Sequence, residues 1–494
     1  MCVGLGSFQA SGVVDSLALH AHHASLRRIP GRFKLPKPIM VGNRRRPILI
    51  TVLMVALAAC GTATTSSSAQ PSSAQSATDA AATPSPGQST GAVEPAPGSD
   101  SSVYAPNPGA IVVAIDPGHG GCLDWGVPDP SERGQQLAEK TLTLAIAERL
   151  RDLLTEEGIG VLMIRDGDEA LAGDDYPPLD CEGPPWRDVN GDGIAGFGPD
   201  VPEATRTRDE LQARLDLANL VGADALISIH INSPTEDGVQ VEIAFSETFY
   251  TDETPWGATA TARLAEAVQA GVVSRLDPLA VYERGDRGIT AHNFYMVAPT
   301  LFEPTDERPD PFKQPSRGGL MPVVLSEVGS ITLRSEHDLL ASADGQQAVA
   351  QGLLDGLAAY FAKRELAARI GLADTTVGQP PQSVEGDGPI FWAPAAPDGP
   401  VSLRLTNTGT EAWPSGLELV AGWTASDQPY LAQAPPLEPL DVDIPGLAAG
   451  ESVVVSVDLP PSPPGRAVAW ISLGSQGTTL ADLGSPALQL SSQP

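Results

Sequence analysis

Two histidines occupy positions that suit chemistry. His119 follows the apolar run Ile111-Val112-Val113-Ala114-Ile115 within Asp116-Pro117-Gly118-His119-Gly120-Gly121, and His230 ends Ala225-Leu226-Ile227-Ser228-Ile229-His230. Both runs read as buried β-branched strands, so both imidazoles arrive where a parallel sheet delivers side chains into the crevice at its carboxyl edge. Two converging imidazoles suit zinc, which takes about four ligands and keeps one position for water at a catalytic site. A third protein ligand is then needed. Glu139 opens an amphipathic segment and points back toward the strand ends, and Glu327 follows the apolar strand Val323-Val324-Leu325-Ser326 to the same edge. Taken singly, a strand-end histidine is more often a hydrogen-bonded core residue, and a helix-opening glutamate more often a dipole partner. Four such residues beside glycine-rich turns balance the two readings.

Positioning these residues takes strands that alternate with helices. Helices are predicted over Leu137 to Leu154, Thr207 to Leu220, Ala258 to Val273 and Gln346 to Ala368. Strands are predicted over Ile111 to Ile115, Ile159 to Ile164, Ala225 to Ile231, Gly238 to Phe245 and Met321 to Ser326. That alternation over about 260 residues is the pattern of a three-layer α/β/α domain. Beyond a Gly/Pro/Thr-rich break at 372–385, residues 401–405, 417–423, 452–459 and 467–473 alternate without helical spacing and are expected to form a small all-β sandwich over 386–494, separable from the rest. The segments Asn407 to Trp413, Gly450 to Val453 and Pro464 to Trp470 resemble an Ig-like domain.

The 494 residues carry a formal charge of -31, and residues 1–60 hold eight of the 30 Lys and Arg but one of the 61 Asp and Glu. So acidic a remainder argues against nucleic acid or an anionic bilayer as an electrostatic partner. Arg44-Arg45-Arg46, a short apolar run and Leu57-Ala58-Ala59-Cys60 resemble a bacterial lipoprotein signal over 40–60, with Cys60 as the lipidated residue. Residues 1–39 then read as an upstream extension, and the Ser/Ala/Pro-rich 61–109 as a disordered tether spanning on the order of 35–40 Å. The expected location is the outer face of the cytoplasmic membrane or the cell envelope, reached through a lipid anchor. Cys122 and Cys181 can pair in an exported domain; two free thiols, or Cys122 as a metal ligand, are the other readings.

The blocks Val113 to Gly121, Ala138-Glu139-Lys140, Val161 to Arg165, Arg214 to Asn219, Ala225 to Asn232 and Leu325 to Gly329 occur in the order seen in zinc-dependent N-acetylmuramoyl-L-alanine amidases, the type-3 amidase family. The resemblance covers about 110–365 within an expected catalytic domain of 110–371. It implies a twisted mixed sheet flanked by helices, one Zn²⁺ on His119, Glu139 and His230, and Glu327 as catalytic acid/base. The substrate it implies is the peptidoglycan amide between N-acetylmuramic acid and L-alanine. Asn232 and His292 are read as substrate-binding, and His337 as a surface residue. A stem-cutting zinc peptidase is disfavoured because no His-Glu-x-x-His helix is present, and a non-catalytic wall-binding lipoprotein because all four polar residues are kept. Residues 166–205 read as an insertion in which Asp188, Asn190 and Asp192 match the first half of a Ca²⁺ loop. Asp200 or Glu203 would have to replace its last ligand, and a solvated acidic loop is the competing reading.

Overall fold

The computed structural model describes residues 111–121, 124–127, 137–171, 189, 203–252, 257–297, 318–373, 396, 399–424, 435–465, 467–475 and 477–492, with side chains omitted at 203–207. Cys60, the tether, Cys122, Cys181 and the Asp188, Asn190 and Asp192 loop lie outside the described residues. No helix among the described residues is long and apolar enough to cross a membrane.

In chain order the first part runs β1 (Val112–Pro117), α1 (Glu139–Glu156), β2 (Gly160–Met163), α2 (Glu203–Val221) and β3 (Ala225–Asn232). A two-strand hairpin follows, β4 (Thr235–Glu236) and β5 (Val239–Gln240), then β6 (Phe245–Tyr250), α3 (Ala258–Leu276), β7 (Gly285–Ala291), β8 (Val323–Ser330), α4 (Arg334–Leu340) and α5 (Ala343–Phe361). Six strands form one sheet in the order β2-β1-β3-β8-β6-β7. The first four are parallel, and β6 turns antiparallel to β8 while β7 runs parallel to β6. The sheet is therefore mixed.

Alternation along the strands sorts the core into two layers. Val113, Ile115, Ile227, Ile229, Val324 and Val328 face a cluster with α1, α3 and α5, where Leu142, Ile146, Leu150 and Leu154 repeat every four residues. Val112, Ala114, Leu226, Val323 and Leu325 face Leu215, Ala218 and Val221 of α2 on the other side. Helices thus cover both faces, as the strand–helix alternation predicts.

Several expectations shift. The strand predicted over Gly238 to Phe245 is replaced by the β4–β5 hairpin and an extended stretch, and the sheet strand begins at Phe245. Val239 and Ile243 are exposed, so the apolar alternation read there marks no core. The polar-looking Ser-Glu-Thr of β6 is in the sheet because β7 and β8 flank it. His337 is fully buried, with Nε2 2.9 Å from the carbonyl of Leu137, because α4 packs against β8 and α5.

The helix predicted to reach Ala368 ends at Phe361, and β9 (Ala368–Leu372) pairs antiparallel with β10 (Val401–Asn407). The remaining strands are β11 (Glu418–Trp423), β12 (Glu438–Pro439), β13 (Ser452–Val457), β14 (Val468–Ser475), β15 (Thr478–Thr479) and β16 (Leu488–Ser491). They form a β13-β10-β9 sheet and a β12-β11-β14-β15 sheet with β16 also on β14. The two sheets share a cluster that includes Leu403, Leu405, Leu419, Ile471 and Leu473.

Residues 368–371, expected within the catalytic domain, and Leu372, expected to open the break, therefore belong to the C-terminal sheets. The expected separability also gives way to an intimate junction. Leu320 packs with Val468 and Trp470, Trp413 Nε1 donates to the carbonyl of Ala367, and Gly257 N donates to the carbonyl of Asp482. Buried Asp224 accepts from Arg364 and Arg369.

Candidate functional site

The turn after β1 is built so that backbone and metal-type ligands approach closely. A Cβ on Gly118 would stand 2.5 Å from the His230 ring, and one on Gly126 would stand 2.4 Å from Glu139 Oε2 and 2.5 Å from His119 Cδ2. His119 itself adopts φ 63, a left-handed conformation that a non-glycine residue holds only when its surroundings impose it. Two buried guanidiniums do so. Arg165 Nε and Nη2 donate to the carbonyls of Pro117 and Gly118, and Arg214 Nη2 donates to that of His119. Arg214 also pairs with Asp116 at 2.7 Å, and Asp116 accepts from Ser228 at 2.6 Å.

α1 begins at Glu139, so this carboxylate sits at the first turn, facing the strand ends. Its Oε1 lies 3.1 Å from His119 Nε2 and 3.1 Å from His230 Nδ1, accepts from Ile231 N at 2.9 Å, and its Oε2 accepts from Val127 N at 2.8 Å. The donor atoms of His119, Glu139 and His230 all lie within 4.8 Å of one another. Two imidazole nitrogens and a carboxylate oxygen are a zinc donor set, and 3.1 Å is close to the separation of two donors on a tetrahedral ion with bonds of about 2.0–2.1 Å. The group fits the metal by this geometry. His119 Nδ1 donates to Asp124 Oδ1 at 2.6 Å, which fixes the ring and turns Nε2 toward Glu139.

The electrostatics agree with a site that holds positive charge. Burial disfavours ionised Glu139, yet His119 and His230 bring its carboxyl well below the usual range. Burial likewise opposes protonation of His119, but Glu139 and Asp124 raise it to about 10. Asp124, against burial, is held at about 2 by His119 and the Gly126 amide.

Glu327 stands beside this group on the next strand. It pairs with His230 across β3–β8 and with Glu247 across β8–β6. Its Oε2 is shut from solvent without a hydrogen-bond partner among the described residues. Burial first, and the charge of Glu139 second, push its carboxyl well above the usual range. Asn232 ends β3, half-buried, two residues past His230, with its carbonyl accepting from Ile331 N. His292 is not brought to the group. It sits exposed just past β7, stacked on Phe294 with centroids 4.1 Å apart, about 13 Å along the strands from the Glu247–Glu327 rung.

Asp124, Gly126 and Glu247 escaped the sequence reading, and Arg165 and Arg214, though part of the family blocks, were given no role. Gly-rich spacing after His119 hinted at Gly126, but nothing local marks an arginine 46 or 95 residues away as the clamp of this turn.

A model described as N-acetylmuramoyl-L-alanine amidase matches residues 113–359. The uncharacterized protein YqiI of Bacillus subtilis is 26% identical over 249 residues, 50% of this chain and 84% of that one. The sporulation-specific N-acetylmuramoyl-L-alanine amidase of the same organism is 27% identical over 253 residues, 51% of this chain and 68% of that one. The solved structure of the N-acetylmuramoyl-L-alanine amidase from Clostridium difficile 630 is 24% identical, with a TM-score of 0.34, over 52% of this chain and 99% of that one. The family match runs from β1 through most of α5 and so takes in His119, Glu139, His230 and Glu327, and this chain belongs to the N-acetylmuramoyl-L-alanine amidase family.

Proposed function

We propose that the enzyme hydrolyses the amide between N-acetylmuramic acid and L-alanine in peptidoglycan with one zinc ion on His119, Glu139 and His230 and Glu327 as proton carrier. The observation that carries this reading is the mutual approach of those three donors with the unpartnered Glu327 Oε2 on the adjacent strand. Zinc supplies Lewis acidity to a water and to the scissile carbonyl.

The chain's own residues do the rest. Asp124 holds the His119 ring in one tautomer, and Arg165 and Arg214 fix the carbonyls of the turn that carries it. Glu327 Oε2 accepts a proton from the attacking water as the new C–O bond forms, and returns it to the nitrogen of L-alanine as the C–N bond breaks. A carboxyl held above its usual range is suited to giving that proton back.

Outside the described residues, the Arg44–Cys60 pattern supports acylation of Cys60, a lipid anchor, and a place at the outer face of the cytoplasmic membrane or in the envelope. Cys60→Ala should then leave the membrane fraction; a mutant that still sediments after a salt wash removes the anchor. The alternating strands of the C-terminal sheets support an Ig-like sandwich, whose expected partner is a protein or a glycan.

Digestion of purified sacculi tests the reaction. Stem peptides beginning in free L-alanine, with about one zinc per chain, are expected from the wild type, and His119→Ala and His230→Ala should each lose the metal. Cuts inside the stem would establish a peptidase instead, and near-stoichiometric zinc in either mutant would remove the proposed ligands.

A further inference from the structure

Beyond Glu327 the same rung of the sheet continues toward its edge. Glu247 of β6 accepts from Thr290 Oγ1 of β7 at 2.6 Å, and Arg287 of β7 places Nη1 3.7 Å from Glu247 Oε2. The Arg287 guanidinium lies over the Phe245 ring at 3.5 Å, while 45% of its side chain stays exposed. An ordinary surface ion pair would close to hydrogen-bonding distance. Here Thr290 takes Glu247 Oε1, Arg287 stays 3.7 Å from Oε2, and Arg287 makes no hydrogen bond among the described residues although a guanidinium carries five donors. The result is a planar cation seated on one aromatic face, oriented by a nearby carboxylate, with its donor edge open: the requirements of a bidentate carboxylate receptor.

We propose that Arg287 binds a carboxylate on the peptide part of the substrate, an assignment that rests on the amidase reading. In the intact substrate the lactyl carboxyl of the sugar is consumed in the scissile amide, so free carboxylates remain on the peptide side. β7 lies two strand spacings from β8, about 10 Å, which three extended residues span. The peptide therefore runs from Glu327 across β6 toward the β7 edge, and the glycan lies on the His119 side. The enzyme prefers stems with a free carboxylate over stems in which it is amidated.

Two soluble muropeptides that differ only in amidation of the stem carboxylates test this, with kcat and KM measured for wild type, Arg287→Ala and Arg287→Lys. The Ala variant should lose about 10- to 100-fold in kcat/KM on the acidic substrate, the range of a charge-assisted pair, and carry most of the loss in KM. Its loss on the amidated substrate should be clearly smaller, Lys should recover part of the acidic rate, and zinc content and Tm should match wild type. An equal loss on both substrates makes Arg287 a structural residue and overturns the assignment, as does no loss on either. A wild-type protein that binds zinc but cleaves neither muropeptide overturns the amidase reading itself, and this assignment with it.

Discussion

Two carboxylates drawn out of water stand near the two ends of β3, Asp224 wholly and Glu327 through its Oε2, and they are resolved in opposite ways. Just before the strand, Asp224 accepts from Val112 N at 2.9 Å, from Arg364 Nη1 at 3.0 Å and from Arg369 Nη2. Burial raises the cost of its charge, but the two arginines win and its carboxyl is lowered. Beside the far end, Glu327 is half-buried, its Oε2 is shut from solvent with no hydrogen-bond partner among the described residues, and burial first and the charge of Glu139 second raise its carboxyl. Desolvation is answered by two arginines in one place and by no arginine among the described residues in the other. The first arrangement ties the catalytic sheet to the C-terminal sheets. The second keeps a group reactive, and it does so beside the metal-type donors.

The largest expected effect tests the reactive end. Glu327→Gln should keep zinc and fold, because the unpartnered Oε2 has no hydrogen bond to lose, while turnover falls about 10²–10⁴-fold. Zinc analysis, Tm and muropeptide kinetics on one preparation check it. Loss of zinc would make Glu327 a ligand, and a drop in Tm as large as that of an Asp224 mutant would erase the contrast.

Asp224→Asn should cost about 3–5 kcal/mol of stability at neutral pH, since it leaves two buried guanidiniums without their counter-ion. The sign with pH follows from the lowered carboxyl. Its contribution is fully present above the unfolded value of 3.8 and is lost as pH falls through the lower folded value. Urea unfolding should therefore show the gap between wild type and mutant widest at neutral pH and narrowing below about pH 4. A constant gap would mean the side chain acts by packing alone. Deleting 386–494 should also lower the Tm of the remainder, because it strips β9 of its β10 partner and the Ala367 carbonyl of its Trp413 donor. An unchanged Tm would restore the separable domain expected from sequence.

The smallest effect concerns the shell around the donors. Asp124→Asn keeps the shape but weakens the hydrogen bond that orients His119, so zinc affinity should fall about 10- to 100-fold with the fold intact. Competition with a chromophoric chelator measures it, and unchanged affinity would show that the Arg165 and Arg214 clamp alone positions the ring.

Much of this was legible in the residues. Continuous apolar runs and four-residue spacing gave β1, β3, α1 and α3 close to their bounds, because burial on both faces of a sheet, or on one face of a helix, leaves a local pattern, while β8 runs four residues past its expected end and takes in Glu327. The two histidines and two glutamates could be named because strand ends and a helix start put them on one edge. β7 was missed, since an exposed edge strand such as Gly285–Ala291 owes its place to its neighbour β6 and has no apolar face to announce it.

Local sequence thus determined which segments are buried and which polar residues are delivered to the carboxyl edge of the sheet. Tertiary structure alone decided the rest. It brought Arg165 and Arg214 to the carbonyls of the β1 turn and Asp124 to His119. It joined Asp224 to Arg364 and Arg369 across 140 and 145 positions, set the Glu247, Thr290 and Arg287 row beside Glu327, and gave residues 368–372 to the C-terminal sheets. The reason is physical. Hydrophobic periodicity is written in residues a few positions apart, whereas a buried ion pair or a strand register depends on partners that only the folded chain brings within about 3 Å.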